Sequence, residues 1–327
     1  MKRRTFCAST LWPLALLASR HVSAKDDYPS RPIRLIMPYN AGGGGDIVLR
    51  PLIAKVGPAL GQSIIIEYKP GASTIIGTHL VAKAEPDGYT IGFITDSHSI
   101  NPLVNKSLPY DAFADFEPVT QLVGVPFALV TASSLPVKTV PELVKYAKAN
   151  PGKLAYASLG PGGPQHLIME WFQYVTGIEL LHVPYSGGAP AIAAVMAGHV
   201  QLGFTGISTA LQYIKSGKLN VLAVSSGARL PAAPQLPTIG ESGYPSFDFT
   251  SWYGIVAPAK TPREIVAKLS QEIGRGLRSS DLWEKLSAQG LIPSPSTPEE
   301  FGAMLHRSAA FYEQLLKTTN AKVEVKA

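Results

Sequence analysis

The sequence predicts an α/β fold of two lobes, and three observations carry that reading. Short apolar strands alternate with amphipathic helices along most of the chain, the pattern of parallel sheets with helices on their faces. Three glycine-rich segments each fall between a strand and the next helix. At 327 residues the chain is long enough for two cores, and no low-complexity linker separates them.

Taken in order, the N-terminus comes first. Lys2, Arg3 and Arg4 precede an apolar stretch from Phe6 to Ala18, and Val22-Ser23-Ala24 ends it with small residues. That is a secretory signal pattern, and the apolar stretch is shorter than the ~20 residues that span a bilayer. Arg3-Arg4-Thr5-Phe6 also fits part of a twin-arginine signal, so both export routes stay open. The expected signal peptide is 1–24. It holds four of the 29 basic residues and none of the 23 acidic ones, so the net charge of +6 falls to +2 once it is removed. A near-balanced surface argues against a nucleic-acid partner. Cys7, the single cysteine, leaves with the signal, so the mature chain has no disulfide and depends on its core.

Ile33–Met37 reads as the first strand and 46–60 as its helix. Strand 63–67, helix 75–83 and strand 90–94 follow. The alternation then runs through strand 127–131, helix 139–149, strand 154–157, helix 164–176, strand 180–183, helix 188–197, strand 200–204, helix 207–216 and strand 219–224. Thr139, Thr261 and Thr297 each precede a glutamate by three residues and predict capping boxes. After Thr261 the chain is read as helical, the last helix carrying an apolar stripe of Phe301, Met304, Leu305, Ala309, Tyr312 and Leu315. This segment is expected to return to the first lobe. Crossings near 123–127 and 248–254 divide the mature chain into lobe 1 (25–125 plus 252–327) and lobe 2 (126–251), joined tightly enough to act as a hinge.

The loops carry the chemistry. Pro38-Tyr39-Asn40-Ala41-Gly42-Gly43-Gly44-Gly45-Asp46 lets the backbone approach a ligand, and the helix that follows offers free N–H groups at its positive end. It is not a P-loop, because no Gly-Lys-Ser/Thr follows, and its glycine spacing is not the dinucleotide fingerprint. A second loop of the same build runs from Ser158 to Gly163 into Pro164, Gln165 and His166. A third, Pro184-Tyr185-Ser186-Gly187-Gly188, echoes Pro38-Tyr39. Loops at the carboxyl ends of parallel strands are where α/β folds bind ligands. An enzyme reading competes: Gly206-Ile207-Ser208-Thr209-Ala210 resembles a nucleophile elbow, with Asp248 or Asp281 and His306 downstream in hydrolase order. Asp281 and His306 lie in or beside amphipathic helices rather than in loops after strands, which weighs against it. His79, His98, His166, His182 and His199 have no metal-ligand spacing, so neither metal nor cofactor is expected.

At these loops the sequence resembles the tripartite tricarboxylate transporter substrate-binding family, also called the Bordetella uptake gene family. The matching pieces are Tyr28-Pro-Ser-Arg-Pro-Ile-Arg-Leu35, Pro38-Tyr39-x-Ala41-Gly42-Gly43, Lys69-Pro70-Gly71-Ala72, Pro86-Asp87-Gly88-Tyr89-Thr90, Gly163-Pro164-Gln165-His166-Leu167, Leu181-His182-Val183-Pro184-Tyr185 and Gly217-Lys218-Leu219. They span the mature chain in order. The resemblance implies a type II, Venus-flytrap periplasmic binding protein: a monomeric receptor, not an enzyme. It would hold a small carboxylate between its lobes, partly through ordered water, for the membrane permease subunits of such a transporter or for sensing. It also implies ligand contacts at Tyr39, Asn40, Ala41, Gly42 and Gly43, and at Ser158, Gly163, Pro164, Gln165 and His166. Ser97, Tyr185, Thr205 and Gly206, on neighbouring loops, complete the candidate set.

Three positions depart from the family pattern. Thr205-Gly206 stands where an acidic residue is common, Asn40 replaces a small residue, and Asp96 puts a charge in a loop that usually has none. The missing acid, together with Tyr39, Tyr185 and Trp252 as candidate slot residues, favours a carboxylate without an α-amine, either aromatic or short dicarboxylic. Asp96 is the objection, because a cleft-facing carboxylate would suit an ammonium group.

Overall fold

The computed structural model describes residues 28–214, 216–319, 321 and 323. The predicted signal segment lies outside them. Among the described residues, ten strands and ten α-helices follow in the order β1 (Ile33–Met37), α1 (Gly44–Leu60), β2 (Ile64–Tyr68), α2 (Ile75–Ala82), β3 (Thr90–Thr95), α3 (Asp96–Val104), β4 (Phe116–Ala132), α4 (Val140–Ala149), β5 (Ala155–Ser158), α5 (Pro164–Thr176), β6 (Leu181–Pro184), α6 (Gly188–Met196), β7 (Leu202–Gly206), α7 (Ile207–Ile214), β8 (Leu219–Val224), β9 (Thr250–Pro258), α8 (Arg263–Leu277), α9 (Ser280–Ala288), β10 (Ile292–Pro293) and α10 (Pro298–Thr319).

The strands run β2-β1-β3-β9-β4-β7-β5-β6, with β8 and β10 also paired to β4. β4 is the joint. Its residues from Phe116 to Pro126 pair antiparallel with β9, while Phe127 to Ala132 pair with β7 and β8. One continuous strand therefore belongs to two sheets. The chain returns beside it: the Phe249 amide donates to Ser225 O in one sheet, and Thr250 opens β9 opposite Pro126 in the other.

Two sequence expectations need correction. The sheets are mixed rather than wholly parallel, because β4 and β9 run against their neighbours. β4 also begins eleven residues before the predicted strand. Its early part reads Phe-Glu-Pro-Val-Thr-Gln, and two register shifts between Pro118 and Val123 break the period-2 alternation that marks a strand in sequence. The helix starts behave less uniformly than their sequences suggest. Thr297 and Glu300 form a reciprocal capping box. At Thr139 the hydroxyl accepts the Glu142 amide, while the glutamate reaches one residue further, to the Lys138 amide. Thr261 forms no box, because its hydroxyl donates to the Pro258 carbonyl.

The stripe of α10 buries Phe301, Leu305, Tyr312 and Leu315. This helix packs on α3, α8 and β4 and also reaches α5. Phe311 lies edge-on to Trp171 of α5 and stacks with Phe249. The C-terminal helix thus braces both sheets, not the first alone.

Candidate functional site

Between the two sheets lies a cavity of about 620 Å³. Five helices begin on its wall: α1 at Gly44, α3 at Asp96 and Ser97, α5 at Pro164 and Gln165, α6 at Gly188, and α7 at Ser208. Each helix start carries a partial positive charge and unpaired amides. Among the described residues, the Gly43, Gly44 and Gly45 amides have no protein acceptor, nor do those of Gln165 and Gly188. Among the described residues, no lysine, arginine or histidine lines the cavity. Helix starts with free amides and no cationic neighbour are the arrangement that suits an anion held by neutral donors.

The first loop shows how the chain is bent to expose those amides. Gly42 sits at φ +84°, a conformation that disfavours a side chain. Asp46, in the first turn of α1, accepts the Gly42 amide through one oxygen and the Tyr68 hydroxyl through the other, and Arg50 lies 3.1 Å away. Asp46 therefore fixes the loop from behind and leaves the next three amides to the cavity. A Cβ on Gly44 would come within 2.8 Å of the Tyr253 hydroxyl, so that phenol sits directly against the start of α1.

Of the predicted contacts, Tyr39, Asn40, Gly43, Ser97, Gly163, Pro164, Gln165, Thr205 and Gly206 line the cavity. Tyr39 bonds to Thr95 Oγ1 at 2.6 Å, which ties the first loop to the end of β3. Ala41, Gly42, Ser158, His166 and Tyr185 do not line it. Ala41 and Gly42 form the outer bend of the loop. Ser158 and His166 are buried behind the second loop. Ser158 Oγ lies 2.5 Å from His182 Nε2 and accepts the Gly160 amide, while His166 Nδ1 accepts the Gly162 amide at 3.0 Å. The two imidazoles stack with centroids 4.0 Å apart. Burial lowers both to about 4 from an ordinary 6.5, so they brace the loop as neutral rings. In the third loop the cavity residues are Ser186, Gly187 and Gly188, one to three positions beyond Tyr185. Trp252 is buried with its indole N–H on Ser308, so it does not serve as a slot residue.

Asp96 borders the cavity, but its carboxylate is already engaged. It accepts the Ser251 hydroxyl, the Tyr312 hydroxyl at 2.8 Å and the Trp252 amide at 3.3 Å, and only 1% of the residue is exposed. Desolvation raises it to about 6 despite those donors. It clips α3 to β9 and α10 and does not present a charge to a ligand.

Two features escaped the sequence reading. Ala72, Ser73 and Thr74 line the cavity with φ values of 45°, 51° and 79°, three successive non-glycine residues in the left-handed region at roughly 1–2 kcal/mol each. Asn101 holds them, donating to Ser73 O and Thr74 Oγ1. The Lys69-Pro-Gly-Ala72 piece was the available signal. The other is Tyr253, which lines the cavity with its hydroxyl against the start of α1.

The nucleophile-elbow reading fails on geometry. Ser208 Oγ donates to the Gln289 carbonyl at 2.9 Å. Asp281 pairs with Lys55 at the surface, Asp248 is exposed, and His306 stacks on Phe113 at an exposed position. Among the described residues, no base is hydrogen-bonded to the serine. Among the described residues no cluster of three metal-ligating side chains occurs, and no helix is long and apolar enough to cross a membrane.

A two-lobed α/β chain whose helices open onto a cleft between its sheets has the build of a periplasmic binding protein, a class that captures solutes and is not enzymatic. Comparison with known proteins narrows this. Residues 48–313 match the tripartite tricarboxylate transporter family receptor, and the chain belongs to that family. Protein BugT of Bordetella pertussis is 33% identical over 91% of this chain and 92% of its own length. Among solved structures, Rpa4515 of R. palustris, solved with adipate, is 34% identical, covers 90% of this chain and 99% of its own, and superposes with a TM-score of 0.86. MatC of Rhodopseudomonas palustris, with bound malate, is 28% identical over 88% of this chain and all of its own, with a TM-score of 0.81.

Proposed function

We propose that this protein is an exported, monomeric receptor that captures a small organic carboxylate lacking an α-amine and delivers it to the permease subunits of a tripartite tricarboxylate-type transporter or to a sensing partner. Residues 1–24 would direct export to the periplasm. Lobe 1 (25–125 plus 252–327) and lobe 2 (126–251) would move about the two crossing strands. One observation carries the choice of ligand: the residues with free amides, Gly43, Gly44, Gly45, Gln165 and Gly188, line a cavity that has no cationic side chain among the described residues. Free amides at helix starts favour an anion, and a carboxylate accepts several such bonds at once. The adipate and malate held by two relatives support the same chemistry. The lack of an available acid argues against an amino acid, since Thr205 and Gly206 are uncharged and Asp96 is fully engaged. Calorimetric titration with glutamate, aspartate, benzoate and adipate tests this. Heat from benzoate or adipate, with the amino acids silent, is expected. Micromolar binding of an amino acid alone would overturn the proposal.

A further inference from the structure

Behind the amides the cleft continues into lobe 2 as an apolar slot. Val130 of β4 pairs with Gly203 of β7, which pairs in turn with Ala157 of β5, so these three residues form one row across three strands. Residues in such a row face the same side of a sheet. Here that side is covered by α6, whose Ala191, Ile192 and Val195 belong with Val130 and Ala157 to the same apolar cluster. Two of the three residues in the row, Gly203 and Ala157, are small. All six residues line the cavity that holds the free amides.

α6 links the two ends. Its first residue, Gly188, carries a free amide at the cleft, and Val195 lies seven residues on, about 10 Å along the helix. The apolar wall therefore follows α6 away from the free amides, its side chains almost wholly buried at the bottom of the cavity, while Thr205, Ser208 and Thr209 line other parts of it.

We infer that this slot is a specificity subsite for the apolar body of the ligand, so that the protein prefers a monocarboxylate with an unsubstituted alkyl chain or ring over a dicarboxylate of the same length. This rests on the carboxylate reading above and sharpens it. A second carboxylate in the slot would lose water without gaining a partner. Each methylene placed there gains the usual burial energy, about fourfold in affinity.

The test is a calorimetric series of acetate, butyrate, hexanoate and octanoate, with adipate as the six-carbon diacid. Affinity is expected to climb by about fourfold per methylene as far as hexanoate, and hexanoate is expected to bind at least tenfold tighter than adipate. Ala191→Leu should block the slot, weakening hexanoate at least tenfold while leaving acetate within twofold. Val195→Ala, which only removes atoms, should move the preferred length toward octanoate and covers the case where Ala191→Leu does not fold. A flat series, adipate binding tighter than hexanoate, or equal losses for short and long acids would overturn the slot while leaving the carboxylate reading intact. Silence toward the whole series would overturn the slot, and silence toward benzoate as well would overturn both.

Discussion

The buried titratable residues of this protein are positioning groups, and their protonation states follow from burial. His98, His166 and His182 are all lowered to about 4, in each case chiefly by desolvation. His166 must be neutral at Nδ1 to accept the Gly162 amide, and Ser158 leans on His182. Between pH 6.5 and 4 the unfolded chain binds protons that these folded imidazoles refuse, so their contribution is present above 6.5 and is lost as pH falls toward 4. Asp96 acts with the opposite sign. Raised to about 6, it contributes stability below its ordinary 3.8 that is lost as pH rises through 6. Three histidines outweigh one aspartate, so the unfolding temperature should fall steadily on acidification from pH 6.5 to 4, and His182→Asn should flatten the slope. A melting temperature unchanged or rising on acidification would count against this assignment. None of it was legible in the sequence. His166 and His182 are sixteen residues apart on different elements, and only the pairing of β5 with β6 brings His182 alongside Ser158.

At the scale of elements, the starts of α1 and α5 would form the two jaws of the proposed anion site. Gly43 and Gly163 have negative φ, and a Cβ on either meets nothing closer than 3.7 and 3.4 Å respectively. Their lack of a side chain is thus a requirement of the cavity more than of the fold. The double variant Gly43→Val/Gly163→Val is expected to keep a cooperative unfolding transition and lose at least tenfold in affinity for the preferred acid; unchanged binding in the folded variant would disprove the role of these jaws. Both jaws were legible because glycine runs between a strand and a helix leave a clear mark in sequence. The apolar strands were legible for the same reason, through their periodicity. The first half of β4 was not, since Glu117, Pro118 and Gln121 read as loop and only the pairing with β9 makes them strand. The strained turn at 72–74 was hidden too, because non-glycine residues give no local sign of a left-handed backbone. Tertiary bonds from Asn101 impose that conformation.

Across the whole molecule, β4 and the start of β9 carry the chain between two sheets, and α10 touches both. A ligand held at their boundary meets helix starts from each side at once, so its negative charge should be what the cleft recognises. The direct measurement is a calorimetric comparison of benzoate, adipate and hexanoate, each beside its neutral amide. The amide keeps the shape and hydrogen-bonding size but removes the charge that strengthens bonds from backbone N–H groups. At least one acid should bind, with its amide weaker by tenfold or more. Equal affinity for acid and amide, or no binding of any of the three acids, would contradict the account.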